Sequence, residues 1–326
     1  MKRKISLLLL CALLPALCAC GGGSASTAQG GPFSTASGPE GSTELRDLST
    51  VDPSGAAVSI PENVNSIVVL APALAETVAA LGLGGKVVGY DLNSVGLAGL
   101  PGDVPVFDTV DPDVEGLVAL APDVLLVSSL SLYDREAPYQ PLIDAGVCVI
   151  CVPTSESIED VKYDIRFLAA ALDAEEEGET LLNELDAQLD ELAVIAAAIP
   201  AQERRSVYFE ISPAPYLYST GSGTYLDDMI RWIGGENILA EHTGWLNVEG
   251  ESIVAADPDV IFTNVNYIGD PVGEILGRDG WAGVTAVANG DVYYIDNMAS
   301  ALPNQNIVIA MRRMAETLYP DYYMAR

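Results

Sequence analysis

His242 is the only histidine in a chain of 326 residues. A Ser-His-Asp or Cys-His mechanism would have to run through that single ring, and a zinc site of two or three imidazoles cannot be assembled. Nucleophile signatures are missing as well. Thr220-Gly-Ser-Gly-Thr224 is not a G-x-S-x-G elbow, and Gly82-Leu-Gly84 lacks the third glycine of a dinucleotide fingerprint. Gly221 and Gly223 read better as turn residues ahead of a helix. The 46 acidic residues are enough for a paired-carboxylate hydrolase, yet no pair is singled out, and surplus acids make a solvated surface. Cys148 and Cys151 lie in a Val/Ile-rich run that reads as a strand. Residues three apart there point to opposite faces and sit about 10 Å apart, too far to bridge. They are expected to be two small buried thiols, since a C-x-x-C redox or metal site needs a turn or helix N-terminus around it. No catalytic residue, metal site or cofactor is assigned.

The formal net charge of −31 works against nucleic acid as a partner, because phosphate binding needs clustered Lys and Arg. Adsorption to anionic lipid by charge alone is equally disfavoured. With 49% hydrophobic residues the chain has ample material for sizeable cores, and its length suggests about two domains.

Residues 1–19 carry a basic start (Lys2, Arg3, Lys4) and an apolar run too short and too Pro-broken to span a bilayer, the pattern of an export signal. The segment ends in Leu17-Cys18-Ala19-Cys20, which resembles the bacterial lipobox and implies lipidation at Cys20. Residues 20–46 are rich in Gly, Ser and Thr and nearly free of large apolar groups. They are expected to form a flexible tether holding a globular body at the outer face of the cell membrane.

From Val64 onward short apolar runs alternate with amphipathic ones, as in βαβ units carrying parallel sheets. Before them, Val51 to Pro61 looks like a small hairpin around Pro53-Ser-Gly55. A repeat stands out: Val114-Glu-Gly-Leu-Val-Ala-Leu-Ala-Pro-Asp-Val-Leu-Leu-Val127 recurs as Gly250-Glu-Ser-Ile-Val-Ala-Ala-Asp-Pro-Asp-Val-Ile-Phe-Thr263 at a constant offset of 136. Each copy reads as a short helix, a Pro-Asp turn and a buried strand, and the alignment superposes Glu115 on Glu251. Residues 173–199 place Leu181, Leu182, Leu185, Leu189, Leu192 and Ile195 at helical spacing, with acids filling the other face. The expected layout is an N-terminal lobe over 47–172, a linking helix over 173–199 and a C-terminal lobe over 203–326.

Ser66 to Thr77 followed by Ala80 to Gly89, the two Pro-Asp units, Gly223 to Met229 with Gly234-Gly-Glu-Asn237, and Ala286 to Tyr294 together resemble the iron-siderophore and cobalamin substrate-binding proteins of ABC importers. This is the helical-backbone, or class III, periplasmic-binding-protein group, and the likeness spans about residues 50–320. It implies an α/β fold of two Rossmann-like lobes with mainly parallel sheets. A single long rigid helix joins the lobes, the ligand cleft lies between them, and opening motions are small. It also implies a monomer that serves an ABC permease dimer with its ATPase, with one acidic residue per lobe engaging permease arginines. The matching positions are Glu115 and Glu251. Two carboxylates at equivalent points of a pseudo-symmetric body suit a two-fold permease.

Ligands of open α/β sheets sit beyond the carboxyl ends of the strands. The loops there are rich in tyrosine, whose stiff amphipathic rings suit a bulky ligand. The expected contacts are Tyr90, Tyr133, Tyr216, Tyr218, Tyr267 and Asn297, together with Trp245, which matches a position where the family often places an aromatic. Arg135 and Arg278 are the only cations these loops offer to an anionic ferric catecholate. A neutral or cationic ferric hydroxamate or a corrinoid fits such loops better. Haem, with a histidine or tyrosine axial ligand, is the alternative cargo, and a ligand-sensing lipoprotein is the alternative role. A secreted hydrolase ranks last.

Overall fold

The structure is a computed structural model and describes residues 51–132 and 138–324. The export signal, Cys20, the tether, Tyr133 and Arg135 lie outside the described residues.

The first half of the body runs β1 (Ile67–Val69), α1 (Pro72–Ala80), β2 (Val87–Asp91), β3 (Val106–Phe107), α2 (Val114–Leu120), β4 (Val124–Val127), α3 (Gln140–Asp144) and β5 (Cys148–Cys151). Two helices follow, α4 (Ile158–Ala171) and α5 (Glu175–Ala198). The second half runs β6 (Ser206–Glu210), β7 (Tyr218–Thr220), α6 (Tyr225–Trp232), β8 (Glu236–Asn237), β9 (Trp245–Asn247), α7 (Gly250–Ala256), β10 (Val260–Thr263), α8 (Pro271–Leu276), α9 (Thr285–Asn289), β11 (Val292–Tyr294), α10 (Asn297–Ala301), α11 (Ile307–Leu318) and α12 (Pro320–Tyr323). Among the described residues no helix is long and apolar enough to cross a membrane.

The N-terminal sheet has the order β3-β2-β1-β4-β5 and the C-terminal sheet β8-β6-β10-β11, every pair parallel. Strands β1 and β4 are buried at every residue, as parallel strands covered on both faces must be. A separate antiparallel pair, β7-β9, sits on the second lobe.

The internal repeat has a concrete structural basis. Helices α2 and α7 both have seven residues, and each ends on a left-handed, non-glycine residue, Ala121 at φ 46° and Asp257 at φ 48°. The Pro-Asp turn follows in both. Asp123 Oδ2 accepts from Ser66 N (2.9 Å) and Ser66 Oγ (3.0 Å), and Asp259 Oδ2 accepts from Ser206 N and Oγ (both 2.8 Å). Each aspartate therefore ties the start of its own strand to the start of the neighbouring one. Strand β1 corresponds to β6, β4 to β10 and β5 to β11, whereas the C-terminal lobe has no partner for β3 among the described residues.

Helix α5 carries Leu182, Leu185, Leu189, Leu192 and Ile195 inward, and at 24 residues it is about 36 Å long. It does not run alone. Ile158, Val161 and Ile165 at the start of α4 enter the core of the C-terminal lobe, and Phe167, Leu168 and Ala171 at its end enter that of the N-terminal lobe. Gly178 of α5 lets the two helices meet at Ala169, whose Cβ lies 2.4 Å from where a Cβ on Gly178 would stand. Residue 178 therefore has to be glycine for this approach.

The N-terminal turn is tight as expected, with Val51 bridging Ala57 and Gly55 at φ 86°. Its anchor is the buried Asp52. Oδ1 accepts from Ser54 N and Oγ and from Ala56 N, while Oδ2 accepts from Cys151 N (2.8 Å), a donor on edge strand β5. Cys148 and Cys151 are free, buried thiols that join different cores on opposite faces of β5. Burial, with the Asp52 carboxylate nearby, pushes both thiols up to about 11, so they stay protonated and unreactive at neutral pH.

Candidate functional site

The loops beyond the strand carboxyl ends converge most fully on the C-terminal lobe. Strand β6 ends in Glu210, and the chain then passes through Ser212 and the exposed Tyr216 (74% accessible) before returning as β7. The Tyr267 hydroxyl, beyond β10, lies 3.3 Å from Ser212 Oγ, and the Tyr267 ring is 57% accessible. Asn297 begins α10 beyond β11. Its Nδ2 donates to Asn264 O (2.7 Å) and its backbone N–H donates to the Tyr294 hydroxyl (3.3 Å), so the ends of β10 and β11 are stitched together. Asn264 Nδ2 in turn donates to Ser300 Oγ (3.1 Å).

Trp245 opens β9 and is held against Tyr225, with ring centroids 5.5 Å apart and planes tilted by 58°. Tyr225 is fixed by donating its hydroxyl to Ser300 O (3.2 Å). The local turn that allows this follows from the glycines noted in the sequence. Gly223 sits at φ 74°, a Cβ on Gly221 would stand 2.2 Å from His242 O, and Thr224 Oγ1 caps α6 by accepting from Asp227 N. His242 itself is exposed, and its carbonyl accepts from Ser222 N and Oγ.

Two expected contacts are placed differently. Tyr90 is 2% accessible and packs in the N-terminal core, because it still belongs to β2, paired with Val69 and Val106. Tyr218 is likewise buried in β7, opposite Asn247. Both rings serve packing in place of an open cleft wall. Tyr294, 41% accessible at the end of β11 with its hydroxyl accepting from Asn297 N, stands among the cleft loops instead, whereas Tyr225 is buried in the C-terminal core and backs Trp245 from within. Tyr294 reads in the sequence as a strand residue, so it carries no loop signature.

Arg278 is 8% accessible and is spent inside the lobe. Nη1 and Nη2 contact Glu210 Oε2 (2.7 Å) and Oε1 (2.9 Å), Glu274 is a further partner, and the guanidinium carbon lies 4.3 Å from the Trp281 centroid. Burial alone would lower the guanidinium, but the bonds to Glu210 and Glu274 hold it above its ordinary value. Glu210, 1% accessible, is raised by burial against the opposing pull of Arg278. Such a pair must stay intact, since removing one partner leaves a buried charge uncompensated.

Glu115 and Glu251 are both exposed in the first turns of α2 and α7. The last turns of these helices lead directly into the amino ends of β4 and β10, so their first turns point toward the strand carboxyl ends. Both carboxylates therefore stand on the side of the molecule where the cleft loops lie.

The lobes also touch directly at this side. Asn304 Nδ2 (2.6 Å) and Asn306 Nδ2 (3.0 Å) donate to Glu76 Oε2, and Thr77 Oγ1 donates to Gln305 Oε1 (3.0 Å), joining α1 to the segment before α11.

Comparison with known proteins agrees with this architecture. A family model described as "Periplasmic binding protein" matches residues 67–299. An ABC transporter substrate-binding lipoprotein of Bacillus subtilis is 31% identical over 284 residues, covering 86% of this chain and 88% of its own. A cobalamin-binding protein of Halobacterium salinarum is 26% identical over 287 residues, 82% of this chain and 73% of its own. The solved structure of the molybdate-binding protein MolA of Haemophilus influenzae superposes with a TM-score of 0.72 at 22% identity, covering 84% of this chain and 92% of its own. The chain thus belongs to the periplasmic binding protein family, the substrate-binding components of ABC importers, and it binds a solute without transforming it.

Proposed function

We propose that this chain is a receptor tethered to the outer face of the cell membrane through a lipid on Cys20. It captures a bulky, neutral or cationic metal chelate of the hydroxamate iron-siderophore kind, or a corrinoid, and delivers it to an ABC permease. The observation that carries the cargo class is the closure of Arg278 on Glu210 and Glu274. This withdraws the cation that the described cleft loops would otherwise offer, while Tyr216, Tyr267 and Trp245 remain as aromatic surface. A strongly anionic catecholate needs cationic partners, and a small oxyanion such as the molybdate of the Haemophilus relative leaves large exposed rings unused. The cobalamin-binding relative supports a corrinoid. Docking rests on Glu115 and Glu251, equivalent carboxylates on the cleft side of each lobe.

A ligand that binds only the folded state raises the unfolding temperature. Thermal unfolding is to be followed with a ferric hydroxamate, a ferric catecholate, cobalamin and haem. At a hundredfold excess over Kd the cognate ligand is expected to add roughly 5 °C or more. A shift with the hydroxamate or cobalamin supports the assignment. A shift only with the catecholate or haem, or with none of the four, contradicts it.

A further inference from the structure

Three consecutive residues of the C-terminal lobe, Asn304, Gln305 and Asn306, seat on the first turns of α1 in the N-terminal lobe. Asn304 Nδ2 (2.6 Å) and Asn306 Nδ2 (3.0 Å) share one acceptor, Glu76 Oε2, and Gln305 Oε1 accepts from Thr77 Oγ1 (3.0 Å). Asn304 Oδ1 also accepts from Asn306 N (2.8 Å), which fixes the shape of the segment itself. Asn304, Gln305 and Thr77 are buried, so each depends on its partner. The place of this contact matters as much as its bonds. Helix α1 starts directly after β1, at the strand carboxyl ends, and Glu76 lies about 6 Å along it. The far end of α1 meets the linking helix: Leu81 Cδ2 is 3.7 Å from where a Cβ on Gly178 of α5 would stand. The Glu76 contact therefore lies on the cleft side of α5. In the C-terminal lobe, segment 304–306 follows α10, whose Ser300 accepts from Asn264 Nδ2 and, through its carbonyl, from the Tyr225 hydroxyl behind Trp245. One clasp thus joins the bases of both cleft walls.

We infer that Glu76 is a positioning residue for ligand capture: it touches no ligand, and it fixes the separation of the cleft walls by clasping Asn304 and Asn306. The lobes share α4 and α5, and a shared pair of helices alone leaves a swivel about that connection. A second point of contact, nearer the cleft, removes the swivel. Binding then does not have to narrow a spread of wall spacings before both lobes can hold the ligand. Because one carboxylate oxygen serves two amides, the clasp is sensitive to charge. A second carboxylate at position 304 would stand at hydrogen-bond distance from Glu76 and push the lobes apart. The inference rests on solute binding between the lobes and on no particular cargo.

The test uses the full chain with a donor and an acceptor dye on p-acetylphenylalanine at the exposed positions 110 and 249, one on the strand-carboxyl side of each lobe. Single-molecule energy transfer reads their separation, and cobalamin and a ferric hydroxamate are the probes for affinity. Asn304→Asp is expected to widen the distance distribution and to weaken binding about tenfold or more, mainly through faster release. Adding Glu76→Gln puts a donor opposite the new carboxylate. The double variant should narrow the distribution again and bring affinity back to within about threefold of wild type. Leu117→Ala, on the other face of the N-terminal sheet from α1, lowers stability without touching the clasp and should move neither readout. Should Asn304→Asp not fold, Asn306→Asp applies the same repulsion at a half-buried donor. An unchanged distribution in the aspartate variant overturns the proposal, and so does a loss that Glu76→Gln fails to reverse. A wider distribution with unchanged affinity overturns the positioning role. If neither probe binds the wild type, the cargo assignment fails and the distance distributions alone decide the matter.

Discussion

At the residue scale, the molecule sorts its ionisable groups into an exposed acidic coat and a few buried groups with defined partners. Arg278 shows why residue type and loop position do not suffice to judge a ligand contact: its acceptor Glu210 is 68 residues away in sequence, and only the fold brings them together. Tyr90 and Tyr218 make the same point, since a tyrosine at a strand end reads alike whether its ring faces a core or a cleft. The thiols of Cys148 and Cys151 were legible, because strand alternation alone puts residues three apart on opposite faces. Asp164 supplies a pH-dependent signature. It accepts from Ser155 Oγ (2.8 Å), and burial, with Asp160 nearby, pushes its carboxyl up to about 7 from an ordinary 3.8. The folded state therefore binds more protons than the unfolded state between these values, and this group's contribution favours folding at low pH and is lost as pH rises through 7. Asp164→Asn should be more stable than wild type at pH 8 by about 1–2 kcal/mol, after allowing for partial solvent screening. The difference should shrink toward zero near pH 4. Urea unfolding of both proteins at pH 4, 6 and 8 checks this, and a constant difference across the series would refute it.

At the element scale, the periodic segments were the readable ones. Helix α5 runs Glu175–Ala198 where leucine spacing places a helix over 173–199, and α2 and α7 fall on the two copies of the repeat. The part played by α4 was less visible. Its apolar positions Ile158, Val161, Ile165 and Leu168 have helical spacing, but spacing does not say that one end enters one lobe's core and the other end the other's. Long-range partners decide that, and sequence separation hides them. The α4–α5 contact offers a direct probe. Gly178→Ala puts a methyl where Ala169 Cβ already sits, so the helices must part or the backbone must shift. Although alanine favours helix over glycine, overpacking should win and cost about 1–3 kcal/mol. Chemical denaturation of the variant, with Glu179→Ala as a surface control, measures it.

At the scale of the whole molecule, two pseudo-equivalent lobes share the helices α4 and α5 and are tied again through Glu76, Asn304, Asn306, Thr77 and Gln305. Ile158 N, at the start of α4, also donates to Asp228 of α6 (3.1 Å). These ties all link the two halves and oppose a wide hinge opening. The architecture was legible because parallel sheets, a repeat and a long amphipathic helix each leave a periodic trace. The wall of the cleft was less so, because it is made of loop residues whose neighbours come from distant parts of the chain. The most direct measurement therefore localises the ligand. In Trp232→Phe with Trp281→Phe only Trp245 remains to report, beside Tyr225 on the cleft side of the C-terminal lobe. Titration with the ligand that raises the unfolding temperature, corrected for absorbance, should quench this tryptophan saturably and at the same midpoint as the thermal stabilisation. A ligand that stabilises the protein fully yet leaves Trp245 emission unchanged binds elsewhere, which would contradict a cleft walled by Trp245 and its neighbouring rings.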